Sequence, residues 1–191
     1  MSKKIYKPQT KEELENLVND ESIHLGDIDT SAIDYMAFLF RDSTRKDFSG
    51  IESWDVSNVT NMGYMFSGAK FFNADISKWN VSKVTYMGYM FENAKSFNQP
   101  LNSWDVSNVT IMAYMFSGAK SFNQPLDSWD TSNVTNMAGM FGDATSFNQP
   151  LESWDISNVE YIAYMLSGAE SFNQSLESWN LTIRERKICF G

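Results

Sequence analysis

Regularly spaced carboxylates are the side chains of this sequence with the clearest potential for chemistry. Aspartate follows tryptophan at one position of a 25-residue repeat, and asparagine twice takes its place. The positions are Asp55, Asn80, Asp105, Asp130, Asp155 and Asn180. Such a column could hold Ca²⁺, which needs roughly six to eight oxygen ligands, or attract a basic partner. Alternatively, each side chain accepts backbone N–H groups of its own turn, as asparagine also can. We favour the turn and predict no metal site, because no Gly-rich Asp-x-Asp loop is present.

Tyrosines form a second periodic set. Four share one position of the repeat, and two stand three residues earlier in their own repeats. They are Tyr64, Tyr89, Tyr114 and Tyr164, with Tyr86 and Tyr161 in the earlier column. Tyrosine gives a large contact area at a low cost in side-chain entropy and is favoured at interfaces. We therefore predict that this ribbon binds a partner or mediates self-association. The alternative is that the rings lie flat over the seams between helices.

Residue types that support enzyme chemistry are scarce. His24 and Cys189 are the only histidine and cysteine, and no Gly-rich phosphate loop occurs. The carboxylates repeat along a surface and are not expected to converge in one pocket. We predict a non-enzymatic protein without a cofactor. Its formal net charge of −9 repels phosphate backbones and anionic lipid, so nucleic acid is not an expected partner.

Tryptophan marks the repeat that must position these side chains. The six tryptophans follow one another at intervals of 25 residues. They are Trp54, Trp79, Trp104, Trp129, Trp154 and Trp179. A period between roughly 20 and 50 residues indicates stacked supersecondary units. Apolar residues accompany each tryptophan, which predicts burial in the core; an exposed platform for sugar rings is the weaker alternative.

Each repeat divides by pattern into a strand, a helix and a return loop. Trp54 and Val56 lie two residues apart, the alternation of a short, half-buried strand. Ser57 is a suitable N-cap, and apolar residues follow at helical spacing until Gly68, where a left-handed backbone would end the helix. Asparagine recurs in the loop and is expected to form an inward-facing ladder that satisfies loop backbone groups. Its positions are Asn73, Asn98, Asn123, Asn148 and Asn173.

The ends of such a stack need caps, because a terminal repeat would expose core and strand edge. Thr10 and Glu13 form a capping box for a helix, and residues 23–29 are expected to form the first strand. Residues 181–190 carry charges between apolar residues, which predicts a charged edge strand at the other end.

These elements predict one domain over residues 1–191. The fold class is an α/β solenoid, in which strands pair in parallel and helices form a second wall. Residues 1–27 form the N-terminal cap, 28–178 six repeats, and 179–191 a partial repeat with the C-terminal cap.

The repeat motif resembles that of the BspA-like leucine-rich-repeat family. One copy reads Trp104-Asp105-Val106-Ser107-Asn108-Val109-Thr110, then Met112, Met115-Phe116 and Phe122-Asn123-Gln124-Pro125-Leu126. Such repeats also occur in mycoplasma surface lipoproteins, and the resemblance covers roughly residues 28–180. It implies a right-handed β/α superhelix and a role in adhesion, host-protein binding or immune stimulation. It brings no catalytic residues.

The expected function is therefore that of a bacterial protein-binding module, a surface or secreted antigen or adhesin that engages a host receptor or matrix protein. The alternatives are a self-assembling intracellular scaffold and, more weakly, a carbohydrate-binding protein. The sequence shows no signal peptide, lipid-anchor motif or run of about 18 apolar residues, so membrane insertion is not expected. The expected location is the cytoplasm by default, or outside the cell by a non-classical route, as the resemblance suggests.

Overall fold

The computed structural model describes residues 5–191 and shows repeats that contain neither the predicted strand nor the predicted helix. The two α-helices are α1, Lys11–Asn19, and α2, Ile183–Phe190. Three short 3₁₀ segments are Leu25–Asp27, Ile51–Ser53 and Glu177–Trp179. Between residues 5 and 191, β-structure is limited to isolated parallel bridges. The prediction of an α/β solenoid, a leucine-rich-repeat-like right-handed superhelix of strand, helix and loop, is wrong.

The repeats are instead built from consecutive turns. Their backbone amides donate alternately to carbonyls of the next repeat and to carbonyls of the same repeat. The Met62 amide donates to the Tyr86 carbonyl and the Tyr64 amide to the Gly88 carbonyl, both at 3.0 Å. The next amide, that of Met65, donates to the Met62 carbonyl at 3.1 Å and closes a turn. Every second amide of this segment thus reaches the following repeat. Each 25-residue unit is one coil in a stack.

Left-handed backbone at Tyr64 is incompatible with the predicted helix. Its φ angle of 59° does not fit the interior of a right-handed α-helix, whereas Gly68, with a φ of 70°, is left-handed as predicted. The prediction rested on the apolar spacing of Val59, Met62 and Phe66, and all three side chains are indeed fully buried. Spacing fixes which side chains face the core. It does not fix whether an amide finds its acceptor four residues earlier or in the next coil.

The predicted strand at Trp54 and Val56 fails for a similar reason. Trp54 and Val56 are buried and the intervening Asp55 is exposed, as the alternation indicated. The backbone, however, closes turns on both sides: the Trp54 amide donates to Ile51 and the Val59 amide to Val56, at 3.1 and 2.9 Å. Alternating burial here arises from turns and not from a pleated strand.

Aromatic columns run through the core of the stack. The prediction that the tryptophans are buried is confirmed, since each is only 3 to 6% exposed. The indole N–H of Trp104 donates to the Ile76 carbonyl of an earlier coil at 3.1 Å, and the other five tryptophans repeat this bond at 2.8 to 3.1 Å. Phenylalanines stack in register beside them; Phe91 and Phe116 have ring centroids 5.5 Å apart. Hydrogen bonding and burial therefore act together at every tryptophan.

Helix α1 caps the first coil. Its N-cap Thr10 accepts the Glu13 amide at 3.2 Å, which confirms the predicted capping site, and Leu14 and Val18 are buried. The strand predicted over residues 23–29 is wrong, because its centre forms the 3₁₀ turn Leu25–Asp27.

Helix α2 replaces the edge strand predicted over residues 181–190, and that prediction is wrong. The last carbonyls of an α-helix lack partners within the helix. Here the carbonyls of Ile188 and Cys189 accept the amides of Tyr164 and Leu166 from the last coil, at 2.7 and 3.0 Å. The Cys189 side chain is buried, and burial raises the pKa of its thiol to about 11. Among residues 5–191, no helix is long and apolar enough to cross a membrane.

Candidate functional site

A column of stacked aromatic rings runs along one side of the stack. This aromatic ladder consists of Phe38, Tyr64, Tyr89 and Tyr114. Successive ring centroids lie 4.8, 4.4 and 4.9 Å apart, with interplanar angles of 11°, 5° and 14°. The three tyrosines are half-buried and Phe38 is exposed. Four coils thus present one continuous aromatic ridge.

The ladder residues stand on a strained backbone. Phe38, Tyr64, Tyr89, Tyr114 and Tyr164 all have left-handed φ angles, between 56° and 68°. This conformation costs a side-chain-bearing residue about 1–2 kcal/mol, which a stacked aromatic pair offsets by about 0.5–1.5 kcal/mol. Stacking and strain therefore nearly cancel within the ladder.

Glycine occupies the same position in one coil and interrupts the ladder there. Gly139 has a φ of 59°, and a Cβ atom at this position would overlap the ring of Tyr114. The Tyr114 ring thus leans into the space that a side chain at 139 would occupy. Beyond the gap, Tyr164 is 57% exposed.

A second column lies three residues before the ladder, at the residues that form the parallel bridges. Its members are Tyr35, Asn61, Tyr86, Ile111, Asn136 and Tyr161. The Tyr86 ring lies against Gly63 and Gly88, where added Cβ atoms would come within 2.5 and 2.8 Å of it. Tyr161 is 59% exposed. The structure thus places Tyr86 beside the ladder and leaves Tyr161 and Tyr164 as separate exposed rings near the last coil.

Cations lie over the first rings of the ladder. The Arg41 guanidinium is 5.8 Å from the Phe38 ring and 5.5 Å from the Tyr64 ring. The Lys11 ammonium lies 5.9 Å from Phe38. Further along, burial raises the pKa of Tyr89 to about 12, and the neighbouring tyrosines Tyr64 and Tyr114 contribute. Both cations are ion-paired, Lys11 with Glu15 at 2.6 Å and Arg41 with Asp42 at 3.6 Å, so the first end of the ridge carries two ion pairs.

Stacking determines what the ladder offers to a partner. Because each ring face covers the next ring, the solvent meets ring edges and hydroxyl groups. A sugar ring stacks on an aromatic face, so the geometry disfavours carbohydrate binding at Tyr64 and Tyr89. A row of ring edges with hydroxyl groups suits an apolar and hydrogen-bonding protein surface.

The aspartate column is a set of turn caps. Asp105 accepts the amide and the hydroxyl of Ser107 at 3.1 and 2.6 Å, and Asn80 accepts the same two groups of Ser82. The turn interpretation is confirmed. Asp55, Asp130 and Asp155 also accept from the serine two residues on, and these hydrogen bonds hold their carboxyl pKa values below the usual range. In residues 5–191, no group of three or more His, Cys, Asp or Glu side chains could hold a metal ion.

The asparagine ladder of the return loops is present as predicted in its hydrogen bonding. Asn73 accepts the Asn98 amide at 2.9 Å, and the pattern continues along the stack. The side chains are half-buried or exposed, so they lie at the edge of the stack and do not face inward.

Sequence reasoning missed two sets of residues. Phe38 begins the aromatic ladder and Tyr35 begins the column of bridge residues. The first coil carries one extra residue, which hid the register of both. Lys70, Lys95 and Lys120 repeat at 25-residue intervals, and the same period that revealed the tyrosines could have revealed them.

Comparison with known proteins identifies one family. The model of the family described as "Mycoplasma protein of unknown function, DUF285" matches residues 11–121 and again residues 100–187. Neither the curated proteins nor the solved structures contain a match.

Proposed function

We propose that this chain, which belongs to the family described as Mycoplasma protein of unknown function, DUF285, is a non-enzymatic module that binds a protein through the aromatic ladder. The observation that carries the proposal is the half-exposed ridge of Phe38, Tyr64, Tyr89 and Tyr114 with ring spacings of 4.4 to 4.9 Å. Pre-stacked rings lose little side-chain freedom when a partner docks.

Backbone strain supports a functional role for these rings. Glycine fills the left-handed position at Gly139 without strain. Coils that keep tyrosine there gain little net stability, because strain of about 1–2 kcal/mol per residue is comparable to the stacking gain. Strained residues that do not raise stability concentrate at functional sites.

The partner we propose is a host receptor or matrix protein, met at the bacterial surface or after release. The resemblance of the repeats to those of BspA-like proteins and mycoplasma surface lipoproteins supports this choice. A net charge of −9 would steer basic partners toward the molecule.

Binding to host cells and to immobilised fibronectin and laminin tests the proposal. A Tyr64→Gly/Tyr89→Gly variant removes two rings at positions where Gly139 demonstrates that glycine fits. We expect it to lose about tenfold or more in affinity, as for removal of hot-spot tyrosines. A Pro125→Ala variant, altered at an exposed loop residue, is the control and should bind like the wild type. The proposal would be contradicted if the ladder variant bound as tightly as the wild type, or if the wild type bound none of these surfaces.

A second candidate function is a self-assembling scaffold, and the last coil favours it. Val159, Ile162 and Phe172 are only partly buried, whereas their equivalents one coil earlier are fully buried. The last coil therefore presents apolar surface of the kind that the next coil covers elsewhere in the stack. Sedimentation velocity over a range of protein concentrations tests this candidate. Mass should rise with concentration in the wild type and not in Ile162→Glu; a constant monomer mass would exclude it.

A further inference from the structure

The lysines of the repeats are concentrated in one column. Residues 47–182 contain five lysines and no arginine, and three of the five occupy the same position of successive coils. These are Lys70, Lys95 and Lys120. Lys46 extends the column, because it precedes Phe48 as Lys70 precedes Phe72, and the two phenylalanine rings are in contact at 5.0 Å. We call these four residues the lysine column.

Hydrogen bonds between coils fix the register of the column. The Ser96 hydroxyl donates to the Lys70 carbonyl at 2.7 Å, and the Ser121 hydroxyl donates to the Lys95 carbonyl at 2.8 Å. Equivalent phenylalanine rings of neighbouring coils lie 5.5 to 5.7 Å apart. With a step of about 5 Å per coil, the four lysine positions span about 15 Å along the stack.

The lysines of the column make no ion pairs within residues 5–191. Lys70, Lys95 and Lys120 are exposed, and neither of the two ion pairs found within residues 5–191 involves them. Lys95 and Lys120 border a cleft of about 520 Å³ that is also lined by Asp143 and Glu170. These carboxylates lie in the later coils, where the column continues as Thr145 and Glu170. Because the ammonium groups of Lys70, Lys95 and Lys120 are exposed and make no ion pair, they are free to bind the anionic groups of a partner.

We propose that the lysine column binds a linear polyanionic polysaccharide bearing sulfate or carboxylate groups. A row of cations with a constant step matches a chain with regularly spaced anions. The residues after the lysines are Phe71 in one coil and Ser96 and Ser121 in the next two. The Ser96 and Ser121 hydroxyls donate to lysine carbonyls, and their oxygens remain free to accept a hydrogen bond from a sugar hydroxyl. Sugar stacking plays no part, and the site is independent of the ladder.

Nucleic acid fits this surface less well than a polysaccharide. Single-stranded nucleic acid is bound by aromatic platforms for successive bases, and along the column only Phe71 offers an exposed ring in that position. A duplex needs a broad basic surface, whereas the column supplies one lysine per coil. A narrow cationic line on an acidic protein selects a flexible, narrow polyanion.

Heparin binding by isothermal titration calorimetry tests the inference, with a matched pair of variants. Lys95→Thr/Lys120→Thr removes two column charges and installs the residue type found at Thr145. Lys78→Thr/Lys83→Thr removes two charges elsewhere in the repeats. We expect the column variant to lose about tenfold or more in affinity at moderate salt, and to reduce the dependence of affinity on salt. The control should lose less than about twofold. Equal losses in both variants, or no wild-type binding of heparin, would overturn the inference.

Two further measurements separate this inference from its alternatives. Thr145→Lys lengthens the column by one coil and should raise heparin affinity by about threefold or more; no gain would count against a column that acts as a line. Oligothymidylate should bind more weakly than heparin; equal affinity with the same dependence on Lys95 and Lys120 would reassign the site to nucleic acid. The Tyr64→Gly/Tyr89→Gly variant should retain heparin binding, so failure of the ladder proposal leaves this result intact.

Discussion

Two aromatic columns of the same period differ in burial and in completeness. The tryptophan column is complete in six coils, is at most 6% exposed, and bonds each indole N–H to an earlier coil. The aromatic ladder is half-exposed, stands on left-handed backbone, and is interrupted at Gly139. In the core, packing and hydrogen bonding both require the aromatic residue. At the surface, neither packing nor hydrogen bonding requires an aromatic residue, and the partner binding that we propose gives a reason for the rings that persist there.

Removal of a core ring should have the largest effect. Trp104→Ala is expected to lower the free energy of unfolding by about 3–5 kcal/mol, because it creates a cavity and leaves the Ile76 carbonyl without its indole donor. Urea unfolding followed by circular dichroism measures this. Trp104→Phe retains most of the apolar volume and should be clearly less destabilising. An alanine variant as stable as the wild type would refute the role of the column.

Substitutions at Gly139, where the ladder is interrupted, test whether ring stacking offsets backbone strain. Gly139→Ala places a side chain on left-handed backbone without a stacking partner and should destabilise by about 1–2 kcal/mol. Gly139→Tyr suffers the same strain but can stack between Tyr114 and Tyr164 once the Tyr114 ring moves back, so we expect a net loss of less than about 1 kcal/mol. Thermal or urea unfolding of both variants compares them. A tyrosine variant less stable than the alanine variant would show that stacking does not offset strain.

Alkaline titration should detect the packing of the ladder. The pKa of Tyr89 is raised from 10.0 to about 12 by burial and neighbouring tyrosines. A raised pKa in the folded state means that this contribution to stability is present below pH 10 and is lost as the pH rises through about 12. Absorbance at alkaline pH should show a late phenol ionisation that disappears in Tyr89→Phe. A titration curve unchanged by this substitution would contradict the packing.

Exchange of one turn-capping residue for another should have the smallest effect. The Ser132 hydroxyl and amide hold the pKa of Asp130 below 3.8, so its contribution to stability is present above that pH and is lost as the pH falls below it. Asp130→Asn should be nearly neutral at pH 7, since Asn80 makes the same bonds. Below pH 4 the variant and the wild type should converge further. Marked destabilisation at neutral pH would give the column a role beyond turn capping.

Much of the candidate site follows from periodicity alone. The positions of Tyr64, Tyr89 and Tyr114, the burial of the tryptophans and the cap at Thr10 are all consequences of local sequence pattern. The place of Phe38 in the ladder was not predicted, because one extra residue in the first coil shifts its register. The gap that separates Tyr164 from the ladder is predictable too, because Gly139 carries no ring.

The sequence by itself determined the repeat, the inward-facing side chains and the turn caps, because all three depend on residue type and spacing within one coil. The tertiary structure decided the path of the backbone. The apolar spacing around Met62 and Phe66 permits either a helix or a run of turns, and a neighbouring coil that offers carbonyl acceptors to alternate amides selects the turns. Left-handed residues such as Tyr64 and Gly68 then become possible, and they align the rings of successive coils into a ladder. Hydrogen bonds to a residue 24 positions away leave no local signature in a sequence, so only the stacked molecule defines them.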